Sequence, residues 1–157
     1  MKRIKLAGKL GYGKVALIDD SDFQKLNRFR WRLRGGYVFR TDGLKEQSMH
    51  RMIKGILRGF EMDHRNGDPL DNRKKNLRFC TRQQNAMNKK RRSDNTNRFK
   101  GVWSNKTKLN PWSAKIKISG KQIHLGCFAT EEEAARSYNK AAKNLFSKFA
   151  ILNFIPG

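Results

Sequence analysis

The sequence predicts an α+β fold in two small domains: a β-rich and helical first part, then a three-stranded antiparallel sheet packed on one helix. Three observations predict it. Two stretches alternate apolar and polar residues with the period of a half-buried strand. Thr130 and Glu133 stand at capping-box spacing and open an alanine-rich amphipathic helix. Between the parts, Ser93, Asp94, Asn95, Thr96 and Asn97 include no apolar residue and have a turn-forming composition. The expected division is therefore residues 1–92, a linker at 93–97, and a second domain at 98–157.

In the first part, residues 14–18 form a short apolar run that reads as a strand, and Ser21 ahead of Asp22, Phe23, Gln24, Lys25 and Leu26 reads as a capped helical turn. Residues 28–34 alternate strictly: Phe29, Trp31 and Leu33 share one face, and Arg28, Arg30, Arg32 and Arg34 share the other. Gly35 and Gly36 supply a two-residue hairpin turn into Tyr37, Val38 and Phe39. The aromatic face should pack. The arginine face reads equally as a phosphate grip or as a solvated surface. Met49, Met52, Ile53, Ile56 and Leu57 recur at helical spacing over residues 48–57, a helix that Gly59 should stop. Residues 61–78 then form a polar loop with a tight turn at Asn66-Gly67 and an extended step at Asp68-Pro69. Thr81 can cap a helix running through Gln83, Asn85 and Met87 into the basic run 89–92. Residues 8–14 match a phosphate-loop pattern, but Val15 follows where that loop needs a hydroxyl for magnesium, so the match carries no function.

In the second part, residues 111–119 place Trp112, Ala114, Ile116 and Ile118 on one face and Ser113, Lys115, Lys117 and Ser119 on the other. Gly120-Lys121 turns the chain into residues 122–128, a third strand after 99–104. Ala134, Ala135, Tyr138, Ala141, Ala142 and Leu145 form the stripe with which the helix should lie close on the sheet.

Charge defines the partner. Lys and Arg number 36 against 13 Asp and Glu, a formal net charge of +23. Up to Arg92 there are 25 basic and 9 acidic residues, and afterwards 11 and 4, so both parts are basic on their own, at +16 and +7. Such an excess points to a polyanion. No apolar run approaches the ~20 residues of a spanning helix, so nucleic acid is favoured over a membrane surface. The N-terminus lacks a secretory pattern, and a cytosolic location is expected. Cys80 and Cys127 have no CxxC or Cys/His spacing, which argues against a disulfide framework and against structural zinc.

Hydrolysis of a phosphodiester needs a water, a base to deprotonate it and a cation beside the phosphate. Asp63 and the amide oxygen of Asn85 could offer oxygen to magnesium, and His64 is a natural base near pH 7. Here the residues resemble a known family. His50-Arg51, Met62-Asp63-His64-Arg65-Asn66-Gly67-Asp68, Leu70-Asp71-Asn72-Arg73, Asn76-Leu77-Arg78, Thr81-Arg82 and Asn85 together resemble the HNH endonucleases of phages and mobile introns. The resemblance implies a ββα-metal fold in which Asp63 and Asn85 hold one divalent ion, Mg2+ with Mn2+ as the alternative, His64 is the general base and Asn76 braces the loop. Because neighbours on a strand point to opposite faces, a bulge or a strand end at Asp63 is required for Asp63 and His64 to share a site. His50 and Asn72 read as a helix N-terminal hydrogen bonder and a turn residue.

Residues 98–155 are similar to the AP2/ERF DNA-binding domain, through Phe99-Lys100-Gly101-Val102-Trp103, Trp112 to Lys117, Ile123 to Phe128, Glu133-Ala134-Ala135 with Tyr138, and Leu152-Asn153-Phe154. That similarity implies a sheet laid in the major groove, with Lys100, Trp103, Asn105, Lys115, Lys117, Gln122 and His124 as contacts. The expectation is a metal-dependent endonuclease of double-stranded DNA, of nicking or homing type, acting as a monomer. Two other readings compete: a non-cleaving DNA-binding regulator, and a basic RNA-binding protein of ribosomal type.

Overall fold

The computed structural model describes residues 1–88, 98–105 and 109–156. The chain forms two compact units, Met1–Arg82 and Gln83–Gly157. The linker expected at 93–97 and the basic run 89–92 lie outside the described residues. As expected, the architecture is α+β, built of small antiparallel sheets and few helices.

The first unit opens with a ribbon of β1 (Lys2–Lys5) and β2 (Val15–Ile18), paired antiparallel from Lys2↔Ile18 to Lys5↔Val15. Helix α1 (Asp20–Asn27) follows, capped at Asp19, two residues before the expected cap Ser21, with acidic Asp20 and Asp22 in its first turn where the helix dipole favours them. Then come β3 (Arg32–Arg34), β4 (Tyr37–Asp42) and β5 (Lys45–Ser48), a three-stranded meander whose first turn is Gly35-Gly36. The alternation over 28–34 survives as burial, with Trp31 1 % exposed and the four arginines on the surface, although only its second half is a strand. Arg28 instead follows the end of α1, and its Nε donates to the Lys25 carbonyl.

Helix α2 (Met49–Lys54) is shorter than its apolar periodicity predicted. Gly55, at φ 80°, ends it by donating its N–H to the Arg51 carbonyl, four residues before the expected stop at Gly59. Ile56 and Leu57 are consequently exposed. A hairpin-like pair, β6 (Glu61–His64) and β7 (Leu77–Cys80), closes the unit. Its core joins Ile4, Ala16, Ile18, Leu26, Trp31, Val38 and Met49. The Trp31 indole N–H donates to the Leu26 carbonyl at 2.8 Å, so the largest core side chain buries no unsatisfied donor.

Helix α3 (Arg82–Met87) spans the division between the units. In the second unit, β8 (Val102–Ser104), β9 (Trp112–Ile118) and β10 (Lys121–Phe128) form an antiparallel sheet with β9 central, and helix α4 (Glu131–Phe146) packs on it. Thr130 and Glu133 form the reciprocal capping box read from the sequence. Alanines 134, 135 and 142 are fully buried, which lets α4 lie close over Ala114 and Ile116. The closest approach is at Gly101, whose φ is +75° and where an added Cβ would stand 2.1 Å from the Tyr138 ring and 2.8 Å from the Lys115 carbonyl oxygen. Gly101→Ala is expected to destabilise this unit by about 3 kcal/mol or more, because strain at positive φ adds to a clash with ring and backbone. A thermal melt of the variant that matched the parent would contradict this packing.

Candidate functional site

The polar segment between β6 and β7 is held by its own side chains. Asn66 bonds its Oδ1 to the Asp68 N–H, Asp68 bonds its Oδ1 to the Leu70 N–H, and Gly67 donates to the His64 carbonyl, so the chain turns through short local loops. Asn76 makes the central brace. Its Oδ1 accepts from the Asn66 N–H at 3.1 Å, and its Nδ2 donates to Asn66 Oδ1 at 3.0 Å and to the Asp71 carbonyl at 2.7 Å. Asp71, 2 % exposed, accepts from Arg73 through both carboxylate oxygens and from Asn66 Nδ2. The Arg73 guanidinium holds its carboxyl below the usual carboxylate range. The segment is then pinned to β2, where Leu17 donates to the Leu70 carbonyl and accepts from the Asn72 N–H, both at 2.8 Å.

This brace positions Asp63 and His64 at the end of β6. The register runs Asp63↔Arg78 and His64↔Leu77 without a shift, so there is no bulge at Asp63. The strand ends at His64 instead. Asp63 and Arg78 occupy the same face of the pair and form a buried ion pair, with Arg78 Nε and Nη2 each 2.7 Å from Asp63 Oδ2. His64 belongs to the other face. It is 4 % exposed, and its Nε2 lies 3.4 Å from Oδ1 of the fully buried Asn72. An accepting Asn72 oxygen pairs with the tautomer that carries hydrogen on Nε2. Burial pushes the His64 pKa down, against the opposing pull of Asn72, Asp63, Asp68 and Asp71. The imidazole is therefore neutral at pH 7, the form a general base needs.

Two further rings surround it. His50, 8 % exposed, meets His64 edge-on with centroids 5.5 Å apart, and Tyr37 lies 5.8 Å from His50 and 6.0 Å from His64. His50 Nε2 is 3.1 Å from Ser48 Oγ, while its Nδ1 is buried without a hydrogen-bond partner. Burial first, then the neighbouring His64 and Arg51 charges, pushes the His50 pKa down to about 4.

Asp63, His64 and Asn76 thus come from one unit. Asn85 is half-buried on α3 and belongs to the second unit. There, register aligns Gln122 with Lys117 and His124 with Lys115 on one face of β9 and β10, and pairs Trp103 with Ser113. Lys117, Gln122, His124 and Trp103 are exposed, and Asn105 and Lys115 are half-buried. Asn105 Nδ2 donates to Cys127 Sγ at 3.5 Å, and His124 Nε2 lies 3.7 Å from the same sulfur. Lys100 differs from the rest of this set: its ammonium donates to the Met87 carbonyl at 2.9 Å, and burial brings its pKa down to about 8.

Sequence reasoning missed the contributions of Asn72, His50, Tyr37 and Arg78. Asn72 and His50 looked like turn and cap residues because their burial is tertiary. Arg78 meets Asp63 only through a strand register that a long loop conceals.

The strand end therefore carries a buried, ion-paired carboxylate on one face and a buried histidine on the other, in a strongly basic chain. Residues 52–87 match the family model described as HNH endonuclease. Over 152 residues the chain is 32 % identical to an uncharacterized HNH endonuclease of Acanthamoeba polyphaga mimivirus, covering 92 % of this chain and 78 % of that protein. The chain belongs to the HNH endonuclease family. It is also 34 % identical over 96 residues to Protein 3.8 of Escherichia phage T7, covering 60 % of this chain and 77 % of that one. An ethylene-responsive transcription factor of Medicago truncatula is 35 % identical over 88 residues, 55 % of this chain but 32 % of the plant protein. No solved structure matches the chain. No helix among the described residues is long and apolar enough to cross a membrane.

Nucleases of this family generally use a divalent metal. Among the described residues no group of three or more His, Cys, Asp and Glu side chains could hold an ion. The first unit buries two carboxylates, Asp71, which is closed by Arg73 and Asn66, and Asp63 at the end of β6. One carboxylate completed by water is a donor set that magnesium accepts and that structural zinc does not, but Asp63 is 5 % exposed and ion-paired to Arg78, so it could hold an ion only once that pair opens.

His50 carries a stability prediction. Its folded pKa lies below the ordinary 6.5, so on acidification the unfolded chain takes up a proton first and stability falls as pH drops from about 6.5 towards 4. Between pH 7 and pH 4.5 the loss should be roughly 2–3 kcal/mol. Denaturant unfolding of parent and His50→Gln at the two pH values should show the acid loss reduced by about that amount in the variant. An identical loss in both proteins would show that His50 is not the group responsible.

Proposed function

We propose that the protein is a metal-dependent endonuclease that hydrolyses phosphodiester bonds of double-stranded DNA, with the first unit cutting and the sheet of the second unit gripping the duplex. The observation that carries this reading is the buried His64 at the end of β6, held by Asn72, with Asp63 the residue before it on the other face of the strand pair. His64 accepts the proton of an attacking water as the water oxygen bonds to phosphorus and the bond to the leaving sugar oxygen breaks. Asn72 orients the imidazole, and Asn76 holds the loop that carries both partners. Asp63 would hold the divalent ion, with Mg2+ favoured, and the ion when bound neutralises charge on the phosphate and the leaving oxygen. The family resemblance adds Asn85 as a second metal ligand; the reading rests on Asp63 and His64 without it.

The +23 charge and the exposed polar face of β9 and β10 support duplex DNA as the partner. One HNH motif per chain addresses one phosphate at a time, so a monomer should nick. A second reading, a non-cleaving DNA-binding regulator, draws on the Asp63–Arg78 ion pair, which occupies the carboxylate an ion would need.

Plasmid incubated with the protein and magnesium decides between them, since nicked circles should accumulate before any linear product and chelation should stop the reaction. His64→Ala is expected to slow nicking by about 10²–10⁴-fold while leaving DNA affinity nearly unchanged, because the histidine acts on water. Absence of magnesium-dependent nicking by the parent protein would favour the regulator. In the second unit, replacing both Lys115 and Lys117 by alanine should lower the dependence of log affinity on log salt by roughly 2, at about 0.9 per phosphate released. An unchanged slope would take this face off the DNA.

A further inference from the structure

His64 and His50 are both buried, yet the third ring against them, Tyr37, is 41 % exposed. Tyr37 begins β4 and is the direct cross-strand partner of Arg34. Partners in register and residues two apart share a face, so Arg32, Arg34, Tyr37, Phe39 and Ser48 lie on one side of the meander. Leu33 and Val38 lie on the other side, turned to the core. Ser48 on the same side touches His50 through its hydroxyl. The Gly35-Gly36 turn stands beside the site loop, with an added Cβ at Gly36 only 3.9 Å from Pro69. The arginine face is therefore continuous with the histidine pair, and Tyr37 is the junction.

From this juxtaposition we propose that the Arg32, Arg34 and Tyr37 face is a strand-positioning surface: the arginines take backbone phosphates of duplex DNA flanking the scissile bond, and the Tyr37 ring packs against the strand beside His64. The inference rests on the nuclease reading above and adds residues that neither the family match nor the DNA-gripping sheet assigns. The chemistry suits the ligand. Guanidinium forks bind phosphate oxygens bidentately, and an amphipathic ring accepts sugar or base contact without sequence preference. Arg34 is ion-paired to Glu46 on this face, with the two side chains 71 % and 43 % exposed. An exposed pair of that kind is weak and screened, so a phosphate can displace the carboxylate. Arg28 and Arg40 do not join the surface, since Arg28 donates to the Lys25 carbonyl and Arg40 stacks on Phe29 at 3.8 Å and bonds Gln47.

The test uses the full-length chain. Affinity for a duplex is measured against salt in chelator for the parent, for Arg32→Ala with Arg34→Ala, and for a charge-matched control, Lys45→Ala with Arg58→Ala. The arginine pair should lower the slope by roughly 2, at about 0.9 per phosphate, and the control by less than half of that. In magnesium, Tyr37→Ala should lose at least about tenfold in single-turnover nicking at saturating DNA, and Tyr37→Phe should restore it to within about twofold, with melting temperatures unchanged throughout. An unaltered slope in the arginine variant, an equal drop in the control, or parental nicking by Tyr37→Ala would each overturn the proposal. If the parent itself failed to nick, the nuclease reading would fall, and the slope comparison would still decide whether this face binds DNA.

Discussion

The need to satisfy buried polar groups in the segment between β6 and β7 is the constraint on which the first unit depends. That segment passes against β2 with Asp71, Asn72 and Asn76 all buried, and no metal cluster or disulfide among the described residues to hold it. Each unpaired buried amide or carboxylate would cost about 1–3 kcal/mol, so the loop is stable only if its side chains pair with one another. Asn76 joins both ends of the loop, and Asp71 is closed by Arg73 and Asn66. A network of this kind is cooperative: removing Asn76 would orphan the Asn66 and Asp71 groups together. The strand end at His64 inherits its position from that closure.

Electrostatics divides the hairpin into two sides. On one, Asp63 and Arg78 are removed from water together, an arrangement whose desolvation cost is offset only by close geometry and further hydrogen bonds. On the other, two histidines are packed edge to edge with Tyr37, and burial keeps both neutral. A charge on either imidazole would raise the cost of charging the other. The arrangement favours unprotonated imidazoles at neutral pH within a chain of net charge +23. The orphaned Nδ1 of His50 shows that part of the stability of this unit is given up to keep the ring pair together.

The second unit solves a different problem. Its sheet must present polar side chains outward while its inner face takes a helix at close range. Small residues make the close approach possible: three buried alanines on α4 and Gly101 beneath Tyr138. Lys100 is half-buried, and its ammonium is bonded to the Met87 backbone carbonyl. Lys117, Gln122 and His124 are exposed on the face opposite the helix-covered one.

Periodicity was enough to predict the α+β class, the Gly35-Gly36 hairpin, the three-stranded sheet and the Thr130 capping box, because those features depend on local geometry and on which face of one element is apolar. Helix ends were less legible: Gly55 and Gly59 are equally plausible stops in sequence, and Gly55 acts because its positive φ lets its N–H reach the Arg51 carbonyl. The residues Asp63, His64 and Asn76 stood out by type and spacing. Their surroundings did not, since Asn72 against His64, Arg78 against Asp63, and Tyr37 with His50 around the imidazole arise from strand register and chain crossing over distances that spacing cannot encode. The sequence by itself determined the charge, the element types and the reactive residues; only the tertiary structure decided which of them are buried, which are paired and which tautomer and charge they hold, because those properties belong to neighbours brought together by folding.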